Sequence, residues 1–200
     1  SFHPVTHYFA SLPQWDGIDR LRPLMQRLTD DDTLVDYLCR WMLALVAQAQ
    51  GREEALYANS VAPILISEQQ GWHKSTFCRM LLPPELRMFY TDSFDLAAES
   101  QCELRLTDCL LINLDEFDRY SSHKQSTLKN LMQMPSLRCR KAYARNATTL
   151  PRVASFIGTS NTPRLLTDPT GSRRFLCVEL THMIDVDTPI CHAQLYAQCM

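Results

Sequence analysis

Lys74-Ser75-Thr76 stands between a loop, Glu68-Gln69-Gln70-Gly71-Trp72-His73, and a helix-like run. The phosphate-loop pattern G-x-x-x-x-G-K-[ST] wraps phosphates in backbone amides at the positive end of a helix. Its lysine reaches the terminal phosphates of ATP, and its hydroxyl holds Mg²⁺. Lys74 and Ser75 fit, Thr76 follows, and Gly71 supplies backbone freedom, so Gly71, Trp72, His73, Lys74, Ser75 and Thr76 are the candidate nucleotide contacts. The two anchor glycines are replaced by Glu68 and His73. Where glycine serves a close approach or a positive φ, a side chain costs about 1 kcal/mol or more, and Glu68 adds a negative charge. Taken alone, the pattern also describes an ordinary strand-to-helix loop with an incidental lysine.

Some forty residues later, Leu110-Leu111-Ile112-Asn113-Leu114 runs into Asp115-Glu116. An apolar strand ending in adjacent acids suits a Mg²⁺-nucleotide site. Asp115 can bind the metal, directly or through water, and Glu116 can polarise the attacking water. Side chains alternate along a strand, so the two acids point differently and can take different tasks. Asn113 is out of place in such a strand, because a buried amide needs partners. Phe156-Ile157-Gly158-Thr159-Ser160-Asn161 is a second strand ending in small polar side chains, with Asn161 at the carboxyl end where parallel sheets place ligands. Asp168-Pro169-Thr170-Gly171-Ser172-Arg173-Arg174-Phe175 sets two arginines on a turn before a strand, and an arginine so placed can neutralise phosphate charge, often across a subunit boundary. Each of these is a commonplace turn alone. Their order, each at a strand end, is the signal.

These residues need elements to hold them. Of the 200 residues, 46% are hydrophobic and 21% charged, ordinary globular composition that argues against wholesale disorder. The most apolar run, Trp41 to Ala49, is far short of the roughly 20 residues of a membrane span. The chain begins at Ser1 without a methionine and ends in a helix-like run, as expected of a piece of a longer protein. The eight cysteines include no C-x-x-C pair and mostly sit in apolar runs, which reads as small buried hydrophobes in a cytoplasmic protein, with a zinc site the weaker alternative. Residues 1–60 read as a helical N-terminal region. Asp31 or Asp32 can cap a helix over about Thr33 to Gln50, with Gly51 its stop. From residue 61 the pattern predicts strands at 62–67, 88–90, 109–114, 153–158 and 175–180. Helices are expected at 75–82 and 97–102, with another opened by Ser122 and Gln125 as a capping box. A basic hairpin is expected over 138–152. The alternation predicts a three-layer α/β domain with a mainly parallel sheet over 61–200.

Charge is distributed unevenly. The whole chain carries −2, yet residues 119–152 hold eight Lys/Arg and no acid. Such a basic island is either a polyanion contact or a solvated surface.

The series Lys74-Ser75-Thr76, Leu114-Asp115-Glu116, Phe156-Ile157-Gly158-Thr159-Ser160-Asn161 and Gly171-Ser172-Arg173-Arg174-Phe175 resembles the ATPase domain of the virulence-associated E family. Leu12-Pro13-x-Trp15-Asp16-Gly17 and Tyr143-Ala144-Arg145-Asn146 fit the same family. That family is similar to the superfamily 3 primase-helicases of phages and plasmids. The resemblance covers nearly the whole chain and implies a P-loop NTPase fold, ATP with Mg²⁺, a homo-oligomeric ring and single-stranded DNA in its channel. It makes Lys74 and Ser75 the nucleotide and metal contacts and Asp115 and Glu116 the acidic pair. Asn161 resembles the polar sensor, and Arg173 or Arg174 the arginine finger. The basic island falls where related helicases insert a DNA-facing hairpin. There Arg138, Arg140, Lys141 and Arg145 can contact phosphates, and Tyr143 either stacks on a base or packs into the core. Two other readings stand beside it: a degenerate module that binds DNA or a partner without ATP turnover, and a small-molecule kinase.

Overall fold

The structure is a computed structural model that describes residues 3–51, 58–140, 146–163 and 173–200. The chain opens with three helices, α1 (Pro4–Ala10), α2 (Leu21–Gln26) and α3 (Asp32–Ala49). Pro4 occupies the first turn of α1, where its missing N–H has no helical partner to lose. Asp31 caps α3, its carboxylate accepting from the Thr33 and Leu34 amides at 2.9 and 3.3 Å. Leu38, Trp41, Met42, Leu45 and Val46 recur at helical spacing and bury one face of α3.

Thereafter strands and helices alternate: β1 (Ala62–Ile66), α4 (Lys74–Met80), β2 (Tyr90–Thr91), α5 (Glu99–Asp108), β3 (Leu111–Leu114) and α6 (Ser122–Gln133). The hairpin strands β4 (Ser136–Cys139) and β5 (Thr148–Pro151) follow, then β6 (Ser155–Ser160), β7 (Phe175–Glu179) and α7 (His192–Cys199). Five strands form a sheet in the order β2-β3-β6-β1-β7, and each of its pairings is parallel. β4 and β5 pair antiparallel outside it, with Arg138 opposite Thr149.

The expected three-layer architecture is present. Alternation along the strands sends Leu65, Leu111, Ile157 and Val178 into one core with α1–α4 and α7. Ile64, Ile66, Ile112, Leu114 and Phe156 face the other way, against Leu106 of α5, Leu128 and Met132 of α6, and Leu137 and Cys139 of the hairpin. A sheet covered on both faces explains why β1, β3 and β6 are buried at every position rather than alternately. The opening helices therefore share one core with a face of the sheet.

Two local expectations are corrected. Met88-Phe89 lies in a 3₁₀ helix (Pro84–Phe89), because consecutive prolines fix a helical start there; the strand begins only at Tyr90. The cap of α6 is Ser121, which accepts from the Lys124 amide at 3.2 Å, not Ser122 with Gln125. Gln125 is buried and donates to the Tyr120 carbonyl at 3.3 Å instead. Five cysteines (Cys78, Cys102, Cys109, Cys139 and Cys199) are buried and all eight are free thiols, as small core residues are. Among the described residues, no helix is long and apolar enough to cross a membrane.

Candidate nucleotide site

β1, β6 and β3 are neighbours in the sheet and run parallel, so their carboxyl ends deliver Ser67, Thr159-Ser160-Asn161 and Asp115-Glu116 to one edge. The loop from β1 returns over that edge and enters α4 at Lys74. Lys74 Nζ donates to the Ser67 carbonyl at 2.9 Å and to Asn161 Oδ1 at 3.2 Å. Partial burial pushes the Lys74 ammonium below its ordinary range, and the Asp118 and Asp115 carboxylates oppose that shift. Next along the same helix, Ser75 Oγ donates to Asp115 Oδ1 at 3.3 Å. Three of the four sequence motifs, those of Lys74-Ser75, Asp115-Glu116 and Asn161, thus meet in one cluster.

The acidic pair diverges because both acids lie beyond the end of β3 and Glu116 turns into a left-handed conformation. Asp115 accepts a short hydrogen bond from Thr159 Oγ1 at 2.6 Å, while the Glu116 amide donates to the same hydroxyl at 3.3 Å. Glu116 takes a left-handed conformation, φ 50°, and its carboxylate pairs with Arg119 at 2.7 Å across a 3₁₀ turn (Phe117–Arg119). His73 is also left-handed, φ 64°, ψ 26°, directly before Lys74. Among the described residues, these two are the non-glycine residues with positive φ, and both sit in this cluster. Such strain costs of order 1–3 kcal/mol and collects at functional sites. His73 therefore occupies a position whose geometry asks for glycine, and Gly71 nearby is itself at φ 76°. Glu68 is exposed at the loop's start. Trp72 is half-buried, with its carbonyl accepting from the Ile184 amide at 3.3 Å, and Thr76 is exposed.

Two contributors escaped the sequence reading. Thr159 holds Asp115 through its hydroxyl, a role hidden within a run of small polar residues. Asp118 accepts from Ser160 Oγ at 3.1 Å and from the Asn161 amide at 3.3 Å, fixing the end of β6. Only the 3₁₀ turn after Glu116 brings Asp118 back to that strand, so its spacing carried no signal. Asn113 is fully buried beside the Tyr90 hydroxyl, and neither completes a hydrogen bond of normal geometry.

Arg173 and Arg174 lie elsewhere. They precede β7, and the Ala62 amide donates to the Arg174 carbonyl at 2.8 Å, at the amino end of β1. The length of β1 puts about 13 Å between that pairing and Ile66, where the loop toward Lys74 begins. Neither arginine belongs to the Lys74 cluster of its own chain. Arg138 and Arg140 are exposed on the outer side of the hairpin, whose Leu137 and Cys139 pack inward. Lys141, Tyr143 and Arg145 lie outside the described residues.

Ser75 Oγ and Asp115 Oδ1 are hard oxygen donors. Two ligands on one octahedral Mg²⁺ stand about 3 Å apart, so their 3.3 Å separation fits that ion.

Among solved structures, the chain is similar to the apo NrS-1 C-terminal region, with a TM-score of 0.62 at 18% identity, covering 100% of this chain and 46% of that one. A second structure of that region, its A form, gives a TM-score of 0.64 at 18% identity over 98% of this chain and 48% of that one. The chain thus spans about half the length of those structures. At this identity the likeness concerns the fold. No curated protein matches the chain. Residues 9–200 match the sequence model of the Virulence-associated protein E-like domain, nearly the full length. The chain belongs to the virulence-associated protein E-like domain family.

Proposed function

We infer that this domain is the ATPase module of a mobile-element protein of primase-helicase type, which hydrolyses Mg²⁺-ATP, couples that reaction to single-stranded DNA and works as a homo-oligomeric ring. The observation that carries the reading is the convergence of Lys74, Ser75, Asp115, Glu116 and Asn161 on one sheet edge. Lys74 binds the terminal phosphates, and Asn161, already bonded to it, keeps its ammonium oriented. Ser75 and Asp115 hold Mg²⁺, which when bound neutralises phosphate charge. Glu116 accepts a proton from water as the water oxygen bonds to the γ-phosphorus; the bond to the bridging oxygen breaks, and its electron pair leaves with ADP. Glu116 must first leave Arg119, and an exposed pair of this kind holds by only about 0–1 kcal/mol. Arg173 and Arg174, at the far end of β1, act on the nucleotide of a neighbouring copy. The outward Arg138 and Arg140, with Lys141, Tyr143 and Arg145, contact the DNA strand.

The strained His73 and the engaged Glu116 favour a second reading, a module that binds DNA or a partner without turnover. Mg²⁺-ATP turnover measured with and without single-stranded DNA separates the two. DNA-stimulated turnover lost in both Lys74→Ala and Glu116→Gln is expected. Intact DNA binding with no turnover, at concentrations that permit assembly, would instead select the second reading.

A further inference from the structure

A cavity of about 550 Å³ opens at the amino ends of β1 and β7, away from the Lys74 cluster. Its wall includes Tyr37, Arg40 and Trp41 of α3 together with Arg173, Asn59 and Ser60. No aspartate or glutamate lines it among the described residues. Arg40 is exposed and stacks its guanidinium 5.9 Å from the centre of the Tyr37 ring. Neither Arg40 nor Arg173 pairs with a carboxylate among the described residues; Asp36, one turn before Arg40 on α3, is instead paired with Arg22 of α2, as is Asp32. Two guanidinium groups that line one concavity, with no carboxylate partner among the described residues, offer N–H donors that an anion can take up.

The nucleotide edge of the same molecule has the opposite character. Glu68 and Asp115 are exposed there, with Glu116 and Asp118 half-buried beside them. Within one chain the cavity and that edge lie at opposite ends of the parallel strands, so they meet only between copies. The charges match in that arrangement: two arginines without a carboxylate partner among the described residues oppose an acidic edge that carries a polyphosphate.

We propose that Arg40 acts beside Arg173 in trans, the cavity receiving the nucleotide edge of a second copy so that both guanidinium groups bear on that copy's polyphosphate. This rests on the ATPase reading above and adds to it a catalytic residue from the helical region. Arg40 is suited to the task because the Tyr37 ring supports its guanidinium face and leaves its N–H edge for oxygen atoms. In the bond exchange described above, the two arginines neutralise charge gathering on the equatorial and leaving oxygens.

Mixed assemblies test this. Arg40→Ala should lower turnover by roughly 10²-fold while nucleotide binding at the Lys74 loop of the same subunit, followed with a fluorescent ATP analogue and Mg²⁺, is retained. Lys74→Ala should be inactive for lack of its own site. Mixing the two inactive variants should restore partial turnover, because each Arg40→Ala subunit keeps Lys74 and can receive Arg40 from a Lys74→Ala neighbour. A merely structural role for Arg40 predicts no such recovery. Wild-type turnover in Arg40→Ala, or a loss that mixing does not repair, overturns the proposal and leaves the ATPase reading in place. A wild-type protein that binds Mg²⁺-ATP yet never turns over faster than Arg40→Ala does the same. A wild-type protein that binds no nucleotide overturns both.

Discussion

Among the described residues, the non-glycine positions with positive φ, His73 and Glu116, both lie at the candidate nucleotide site. His73 is held at φ 64° by the turn into α4, where its carbonyl accepts the Phe77 amide at 2.9 Å. Histidine tolerates the left-handed region better than branched residues do. His73→Val should therefore lower unfolding free energy by about 1–2 kcal/mol, while His73→Gly stays within about 1 kcal/mol of wild type. Urea unfolding reads both; equal effects of valine and glycine would mean that the backbone relaxes at this turn. At this scale the sequence was legible wherever a residue type implied one task. Lys74, Ser75, Asp115 and Asn161 all fall in the cluster. It was not legible for Thr159 and Asp118, whose hydrogen bonds depend on how the 3₁₀ turn folds back against β6. Nor could the spacing reveal that Glu116 is paired with Arg119.

Elements meet at Arg152, which is fully buried between the hairpin and the sheet. Its guanidinium donates to the carbonyls of Met132 at 2.6 Å, Ala154 at 2.9 Å and Asn59 at 2.5 Å, and its own carbonyl accepts from the Gln48 amide. Burial lowers its pKa to about 10, so it stays cationic at neutral pH. It thereby joins the end of α6, the hairpin, α3 and the segment leading to β1. Arg152→Met strands these carbonyls and should cost about 2–4 kcal/mol by urea unfolding. Arg138→Ala, on the exposed side of the hairpin, should change stability by less than about 0.5 kcal/mol yet weaken single-stranded DNA binding. The opposite pattern would exchange their roles. From sequence, Arg152 was merely one more member of a basic island, because charge counting does not separate a buried guanidinium from an exposed one. A second element-level device is α7, where His192 donates from Nε2 to the Met80 carbonyl at 2.7 Å. Burial lowers the His192 pKa below its ordinary 6.5, with the hydrogen bond to Met80 opposing. The unfolded chain then takes up the proton first, so this contribution to stability is complete above 6.5 and is lost as pH falls through that value. His192→Gln should flatten the stability profile over this window, and an unchanged profile would exclude His192 as its source.

The whole molecule is organised along its parallel strands. Their carboxyl ends carry Lys74, Asp115 and Asn161, while the amino ends carry the Arg173 cavity and, through Arg152 and Asn59, the root of the hairpin. The fold itself was legible because apolar runs separated by helical periods admit few arrangements other than a sheet covered on both faces. Strand order was not, since it depends on the long return from β3 through α6 and the hairpin that inserts β6 between β3 and β1. The same order is what lets Asn161 reach Lys74. The proposed activity requires that cluster to be a nucleotide site. The most direct measurement is equilibrium binding of ATP to the wild type, Lys74→Ala and Glu116→Gln, with and without Mg²⁺. Saturable, Mg²⁺-strengthened binding that is lost in Lys74→Ala and kept in Glu116→Gln is the predicted result. Binding that Lys74→Ala leaves unchanged, or none at millimolar ATP, would contradict it.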